Sequence, residues 1–190
     1  MSDTLRAALL FLVTTVFDLY LFILIIRIIL AWVSADIYNP ITQFVVKFTS
    51  FLVRPLKRYI PNFRDLECAA VVLVLVIEII KFLLIAFLSF GFPNVFGLVI
   101  LAIADTIKLS IETFFYAILL QAILSWIQPQ SSINRILLQF TSPIMRPLQR
   151  IIPPIGGFDI SPIPALILLQ LLIIIAVNPL MGFGLEVAFG

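Results

Sequence analysis

Four long apolar runs constrain this chain more than any other feature of its sequence. They cover residues 5–33, 66–90, 95–127 and 163 to about 181. A helix of about 20 apolar residues crosses the hydrocarbon core of a bilayer. Hydrophobic residues make up 63% of the chain and charged residues 12%, whereas soluble domains are typically about 45–50% apolar and about 25% charged. The sequence therefore excludes a soluble protein and predicts an all-α membrane protein with four transmembrane helices.

Two amphipathic segments connect the apolar runs within each half of the chain. In residues 38–60 and again in residues 133–152, apolar side chains recur with helical spacing and basic side chains lie on the opposite face. This pattern is typical of a helix that lies in the membrane interface. Pro55 and Pro147 are expected to break or restart these helices. The candidate residues for binding lipid or a protein partner are Lys47, Arg54, Lys57, Arg58, Arg146 and Arg150.

The distribution of basic residues predicts an orientation in the membrane. Residues 34–65 contain five lysines and arginines, residues 128–161 contain three, and the turn at 89–97 contains none. Basic loops stay in the cytoplasm. We therefore expect a multi-pass protein of the bacterial inner (cytoplasmic) membrane, with both amphipathic connectors in the cytoplasm and both termini outside.

The chain also carries an internal duplication. Residues 48–61, FTSFLVRPLKRYIP, align with residues 140–153, FTSPIMRPLQRIIP, at nine of fourteen positions. Upstream of the motif the offset changes from 92 to 94 residues, which matches Trp32 with Trp126 and Arg27 with Gln121. We predict two parallel repeats, residues 1–92 and 93–190, that form one membrane domain with pseudo-two-fold symmetry. The duplicated motif residues are Pro55, Pro61, Pro147, Pro153, Glu67 and Asp159.

The acidic residue after each motif has two interpretations. Glu67 and Asp159 could pair with the motif arginines across the turn. Alternatively they could cap the helix that follows, because carboxylates are favoured near helix N-termini. The sequence does not decide between the two.

The doubled RPLxRxIP motif, the acidic residue after it and the tryptophan before it resemble the YggT family of bacterial membrane proteins, which has relatives in plastids. The resemblance implies links to cell division or chromosome distribution and to osmotic and potassium tolerance. In plastids it implies haem attachment to a cytochrome. Glu67 stands where the family more often has Asp, and Arg64 and Asp65 stand where the second copy has Gly156 and Gly157, a pair typical of a turn.

Polar residues inside the apolar runs form a second candidate site. Ionisable groups in a membrane span are costly and often functional. The candidate buried polar residues are Asp18, Glu78, Lys81, Glu112 and Gln170. They could form a relay that moves an ion or a proton, or a charge-neutralised lock that fixes helix packing.

The depth of these groups can be estimated from the interfacial tryptophans. Asp18 and Glu112 each lie 14 residues from the nearest tryptophan in their run, which is about 21 Å along a helix. Lys81 lies 14 residues after Glu67, so we expect Asp18, Glu112 and Lys81 at one level. Arg27, five residues before Trp32, is expected to extend to the lipid headgroups.

Several functions are excluded by missing residues. The chain has no histidine, and Cys68 is its only cysteine, so imidazole chemistry and an internal CxxC pair are absent. A net charge of +2 does not indicate a nucleic-acid partner. We expect neither enzymatic activity nor a cofactor.

The first hypothesis is a scaffold whose connectors bind anionic lipid or a cytoplasmic or membrane protein. The second is a small channel or transporter for potassium or an osmolyte. Either is compatible with homo-oligomerisation.

Overall fold

The computed structural model describes residues 3–63, 66–89, 91, 93–152 and 159–190, and all regular secondary structure in these parts is helical. A single β-bridge between Phe63 and Leu66 is the only strand-like pairing among them. The predicted all-helical architecture is therefore confirmed for the described residues. The motif residue Pro153, together with Arg64, Asp65, Gly156 and Gly157, lies outside them. The helices are α1 (Asp3–Trp32), α2 (Pro40–Lys57), α3 (Cys68–Ser89), α4 (Val95–Ile127), α5 (Ser132–Ile151) and α6 (Pro162–Phe189).

Three of the described helices, α1, α3 and α6, are long and apolar enough to cross a membrane. Helix α4 is longer still, with 33 residues, and extends for about 50 Å at the usual helical rise. It differs from the other three because Asp105, Lys108 and Glu112 lie within eight residues of one another. The structure thus contains three apolar candidate spans and one long helix that carries a charged stripe.

Helix α4 lies at the centre of the bundle, where it packs against α1, α3, α5 and α6. The guanidinium of Arg6 in α1 donates to the carbonyl oxygen of Ser89 at the end of α3. The backbone N–H of Asn94 donates to the carbonyl oxygen of Ala188 at 2.9 Å. These contacts place both termini and the α3–α4 turn at one end of the bundle, and α2 and α5 at the other.

The larger of two hydrophobic clusters lies mainly in the first half of the molecule. Leu21, Leu24 and Val74 are fully buried between α1 and α3, and Phe140 of α5 joins the same cluster. A smaller cluster around Ile118 connects α4, α5 and α6. Lipid replaces water around the spans, so packing quality rather than dehydration holds these helices together.

A glycine permits a close contact between α4 and α6. A Cβ atom added at Gly97 would lie 2.3 Å from the backbone nitrogen of Ala188. No side chain fits there, so α4 and α6 approach backbone to backbone. Gly184 and Ala188 provide the small residues on α6, at the four-residue spacing that such contacts use.

The motif prolines do not interrupt the two amphipathic helices. Pro55 lies inside α2 and Pro147 inside α5, so the expectation that they break or restart these helices is wrong. Pro55 is two residues from the end of α2, where its missing N–H removes only one hydrogen bond of the last turn. In α6, Pro179 lies shortly after a π-helical turn, Ile173–Val177. At the end of that turn the N–H of Asn178 donates to the carbonyl oxygen of Ile173.

Candidate functional site

Arg27 organises a polar cluster at the α2 end of the bundle. Its side chain is only 5% exposed, so the expectation that it extends to the headgroups is wrong. Its Nε lies 2.5 Å from Oε2 of Glu67 and its Nη2 lies 3.1 Å from Oε1. Its Nη1 donates to Oγ1 of Thr49 at 2.8 Å. The guanidinium therefore joins α1, α2 and the residue before α3, because its planar set of donors matches a carboxylate and a hydroxyl together.

Glu67 is the anion of this cluster and also forms an ion pair with Lys57. Burial alone would raise the pKa of Glu67, but the hydrogen bonds and charges of Arg27 and Lys57 outweigh it and hold that pKa below its ordinary value. The carboxyl is therefore ionised at neutral pH. Lys57 is 35% exposed, so it covers the pair from the outside rather than being enclosed with it.

The second half of the chain makes related contacts with uncharged partners. Oγ1 of Thr141 donates to Oε1 of Gln121 at 3.2 Å, where the first half has Thr49 and Arg27. Nε2 of Gln149 donates to Oδ2 of Asp159 at 2.7 Å, where the first half has Lys57 and Glu67. Each pair of positions is related by the offsets found in the sequence.

The two acidic motif residues therefore behave differently. Glu67 pairs with Arg27 and Lys57, and neither Arg54 nor Arg58 forms an ion pair with it in the described part of the chain. Asp159 instead accepts the N–H of Ser161 at 2.9 Å, one residue before α6 begins. Hydrogen bonds from Ser161 and Gln149 lower the pKa of Asp159 against the opposing effect of burial. Glu67 therefore forms ion pairs, although with Arg27 and Lys57 rather than with the motif arginines. Asp159 accepts a bond from the backbone of Ser161, the N-cap residue of α6, which has no side-chain cap of its own.

A second charged centre surrounds Lys81 in the middle of the bundle. Its Nζ lies 2.9 Å from Oδ1 of Asp18, 2.7 Å from Oε2 of Glu78 and 2.5 Å from Oδ2 of Asp105. Three helices thus converge on one ammonium group. Lys81 and Glu78 are buried, while Asp18 is half-exposed. Asp105 was absent from the candidate residues, although it belongs to the charged stripe of α4.

Two of the predicted buried polar residues lie elsewhere. Glu112 is half-exposed and lies 3.8 Å from Lys108 on its own helix, so it does not share the Lys81 centre as the depth estimate suggests. Asp105, which lies two helical turns closer to the N-terminus of α4 than Glu112, contacts Lys81 instead. Gln170 is exposed, and the expectation that it is buried is wrong. Helix α6 packs on α4 and α5 only on its opposite face, so nothing in the described bundle covers Gln170.

The exposed basic residues lie on α2, on α5 and just beyond the end of α2. None of them forms an ion pair with a carboxylate of the described residues. Pro55, Pro61 and Pro147 are exposed beside them. Sequence reasoning counted Arg135 among the basic residues of the second connector but did not name it as a candidate binding residue. The set comprises Lys47, Arg54, Arg58, Arg135, Arg146 and Arg150.

Two adjoining cavities lie where α2 meets α5. One, of about 280 Å³, is lined by apolar side chains of α1, α2, α4 and α5, including Phe22 and Phe140. The other, of about 300 Å³, is polar and includes Asp36 and Arg135. Ile136 lines both. The apolar cavity therefore lies beside a cleft that contains the guanidinium of Arg135, which forms no ion pair with the described residues.

The bundle and its buried charges define an all-helical integral membrane protein, and comparison with known proteins gives its family. The CCB3/YggT family profile matches residues 6–88 and 100–180, and this chain belongs to that family. It is 35% identical over 163 residues to the "Uncharacterized protein YggT" of Escherichia coli K12, covering 85% of each chain.

Other relatives support the same assignment. The chain is 35% identical over 181 residues to an uncharacterized protein of Pseudomonas aeruginosa, covering 93% of this chain and 91% of the other. It is 37% identical over 163 residues to a protein of Vibrio alginolyticus, covering 84% and 88%. None of these names refers to an enzymatic activity. No solved structure matches the chain.

Proposed function

We propose that this protein is a non-enzymatic scaffold of the bacterial inner membrane whose α2 and α5 lie in the cytoplasmic interface and bind anionic lipid. The observation that carries the proposal is the set of six exposed basic side chains that lack a carboxylate partner among the described residues. A basic residue near an anionic membrane surface contributes roughly 1 kcal/mol of attraction. Both α2 and α5 are at the same end of the bundle, so their charges act on one surface.

The proposed membrane arrangement has four transmembrane helices in two parallel repeats. Helix α4 supports this arrangement because it packs between the three apolar candidate spans. Asp105, from its charged stripe, turns toward Lys81 inside the bundle. The related contacts of Thr49 and Thr141, and of Lys57 and Gln149, support the duplication. The two segments matched by the family profile agree with the same division.

The two adjoining cavities favour a phospholipid over a protein segment as the occupant of the α2–α5 seam. The apolar cavity of about 280 Å³ has room for part of an acyl chain, and Arg135 lines the adjoining cleft, where it is placed to bind a lipid phosphate. A phosphate and a guanidinium form strong, charge-assisted hydrogen bonds. The alternative of a channel or transporter has less support, because the charged groups inside the bundle contact one another.

Lipid retention after purification tests the proposal. One variant replaces Arg54, Arg58, Arg146 and Arg150 with glutamine, and the matched control replaces the same four with lysine, which keeps the charge. The protein is extracted from membranes of mixed composition, and its bound lipids are identified by native mass spectrometry. We expect the wild type and the lysine control to retain anionic phospholipid in excess of its share of the membrane. The glutamine variant should lose this excess.

The result that would refute lipid binding is a folded glutamine variant that retains anionic lipid as well as the wild type does. If that variant also fails to support growth after osmotic shock in a strain that lacks its own family member, the basic face docks a protein instead. Matched expression and thermal stability of the two variants exclude loss of folding as the cause.

A further inference from the structure

The Lys81 centre holds more negative groups than positive ones. Three carboxyl groups, from Asp18, Glu78 and Asp105, surround a single ammonium group at 2.5–2.9 Å. If all four were ionised, the centre would carry two uncompensated negative charges in the interior of the bundle. An uncompensated charge inside a membrane protein is strongly disfavoured. At least one carboxyl must therefore be neutralised by something other than Lys81.

Glu78 is the group with the poorest compensation. Its side chain is 0% exposed, and neither of its oxygens accepts a hydrogen bond from the described residues. Its contact with Lys81 is an ion pair between residues three positions apart on α3. Asp18 and Asp105, in contrast, both accept hydrogen bonds from the ammonium.

The charges that face Glu78 come from every neighbouring span. Helix α1 contributes Asp18, helix α4 contributes Asp105, and α3 itself contributes Lys81. Helix α2 also packs against α3. Its Lys57, however, pairs with Glu67 at the end of the bundle. Two of the three nearest charges are therefore negative, and they favour neutralisation of Glu78.

We propose that the Asp18–Glu78–Lys81–Asp105 centre is a proton-binding site and that Glu78 holds its proton at neutral pH. The proton adds to a carboxylate oxygen of Glu78 and converts the carboxylate to a carboxylic acid. The remaining centre then contains one ammonium and two carboxylates, which Lys81 holds by two hydrogen bonds. This site is independent of the lipid-binding face, because the two share no residue.

Isotope-edited infrared spectroscopy tests this without any substitution. A neutral carboxyl has a C=O stretching band that is separate from those of carboxylates. The protein is reconstituted at neutral pH with either glutamate or aspartate carrying ¹³C carboxyl carbons. We expect a neutral-carboxyl band that shifts with labelled glutamate and not with labelled aspartate. Absence of the band, or a shift only with aspartate, overturns the assignment.

Substitutions then locate the proton among the four glutamates of the chain. Glu78→Gln keeps the shape of the side chain and should abolish the band, whereas the matched control Glu112→Gln should leave it unchanged. Titration from alkaline to neutral pH should show uptake of one proton fewer by Glu78→Gln than by Glu112→Gln. A band that persists in folded Glu78→Gln protein, or equal proton uptake by the two variants, contradicts the proposal. Dependence of the band on added sodium or potassium would assign the centre to a metal cation and would also overturn it.

Discussion

Removal of the Glu67 charge tests whether the Arg27 cluster holds α1, α2 and α3 together. The substitution Glu67→Gln leaves the guanidinium of Arg27 buried at 5% exposure without its anion. Loss of one partner from a buried ion pair typically destabilises a protein by about 3–5 kcal/mol. Lys57, the other partner of Glu67, is 35% exposed and can turn to water. Lys57→Met should therefore cost no more than about 1 kcal/mol, as exposed pairs do.

A double substitution separates the ion pair from simple loss of packing. Arg27→Gln combined with Glu67→Gln removes both charges and approaches the uncharged contact of Gln121 with Thr141. We expect the double variant to be more stable than the sum of the two single effects predicts, by roughly 1–3 kcal/mol. Unfolding by SDS in mixed micelles, followed by the fluorescence of Trp32 and Trp126, measures all the variants. Equal destabilisation by Glu67→Gln and Lys57→Met, or strict additivity, would refute the reasoning.

Three other predictions concern packing, pH and the central lysine. Gly97→Ala should lower the free energy of unfolding by more than 1–3 kcal/mol, a usual range for overpacking, because the added Cβ meets backbone at 2.3 Å. The control Gly182→Ala has open space around it and should change stability little; equal thermal stability of the two variants would contradict the close contact. Because the folded-state pKa of Glu67 is lowered, the stability it contributes is present above its unfolded pKa and is lost as the pH falls through its folded pKa. The acid unfolding curve of Glu67→Gln should then be flatter than that of the wild type, and parallel curves would count against this. Lys81→Met should destabilise the bundle far more than Lys108→Met, because Lys81 faces three carboxyl groups and Lys108 one at 3.8 Å, and similar melting temperatures would be inconsistent with that geometry.

The apolar runs predict the helices well because length and composition act locally. The run at 95–127 coincides with α4, and the basic connectors coincide closely with α2 and α5. The spacing of Glu78 and Lys81 also places them correctly on one face of α3. These features depend on helical periodicity alone, which is visible in one segment at a time.

The partners of the charged residues depend on how far one helix slides along another, and the sequence does not encode this directly. Measuring depth from the tryptophans pairs Lys81 with Glu112, but α4 is displaced so that Asp105 reaches the ammonium instead. Arg27 is buried because Glu67 folds back over it from 40 residues away. Gln170 aligns with Glu78 in the duplication, yet it is exposed because no described helix covers that face of α6. The backbone contact at Gly97 is a further result of helix placement.

The central claim is that the two basic connectors lie at one membrane surface, as parallel repeats require. The accessibility of single engineered cysteines, introduced in a Cys68→Ala background, tests this most directly. Lys47→Cys tests α2, Arg146→Cys tests α5, and Val95→Cys tests the opposite end of the bundle. We predict that a membrane-impermeant maleimide labels positions 47 and 146 only from the cytoplasmic side and position 95 only from outside. Labelling of positions 47 and 146 from opposite sides would contradict the account.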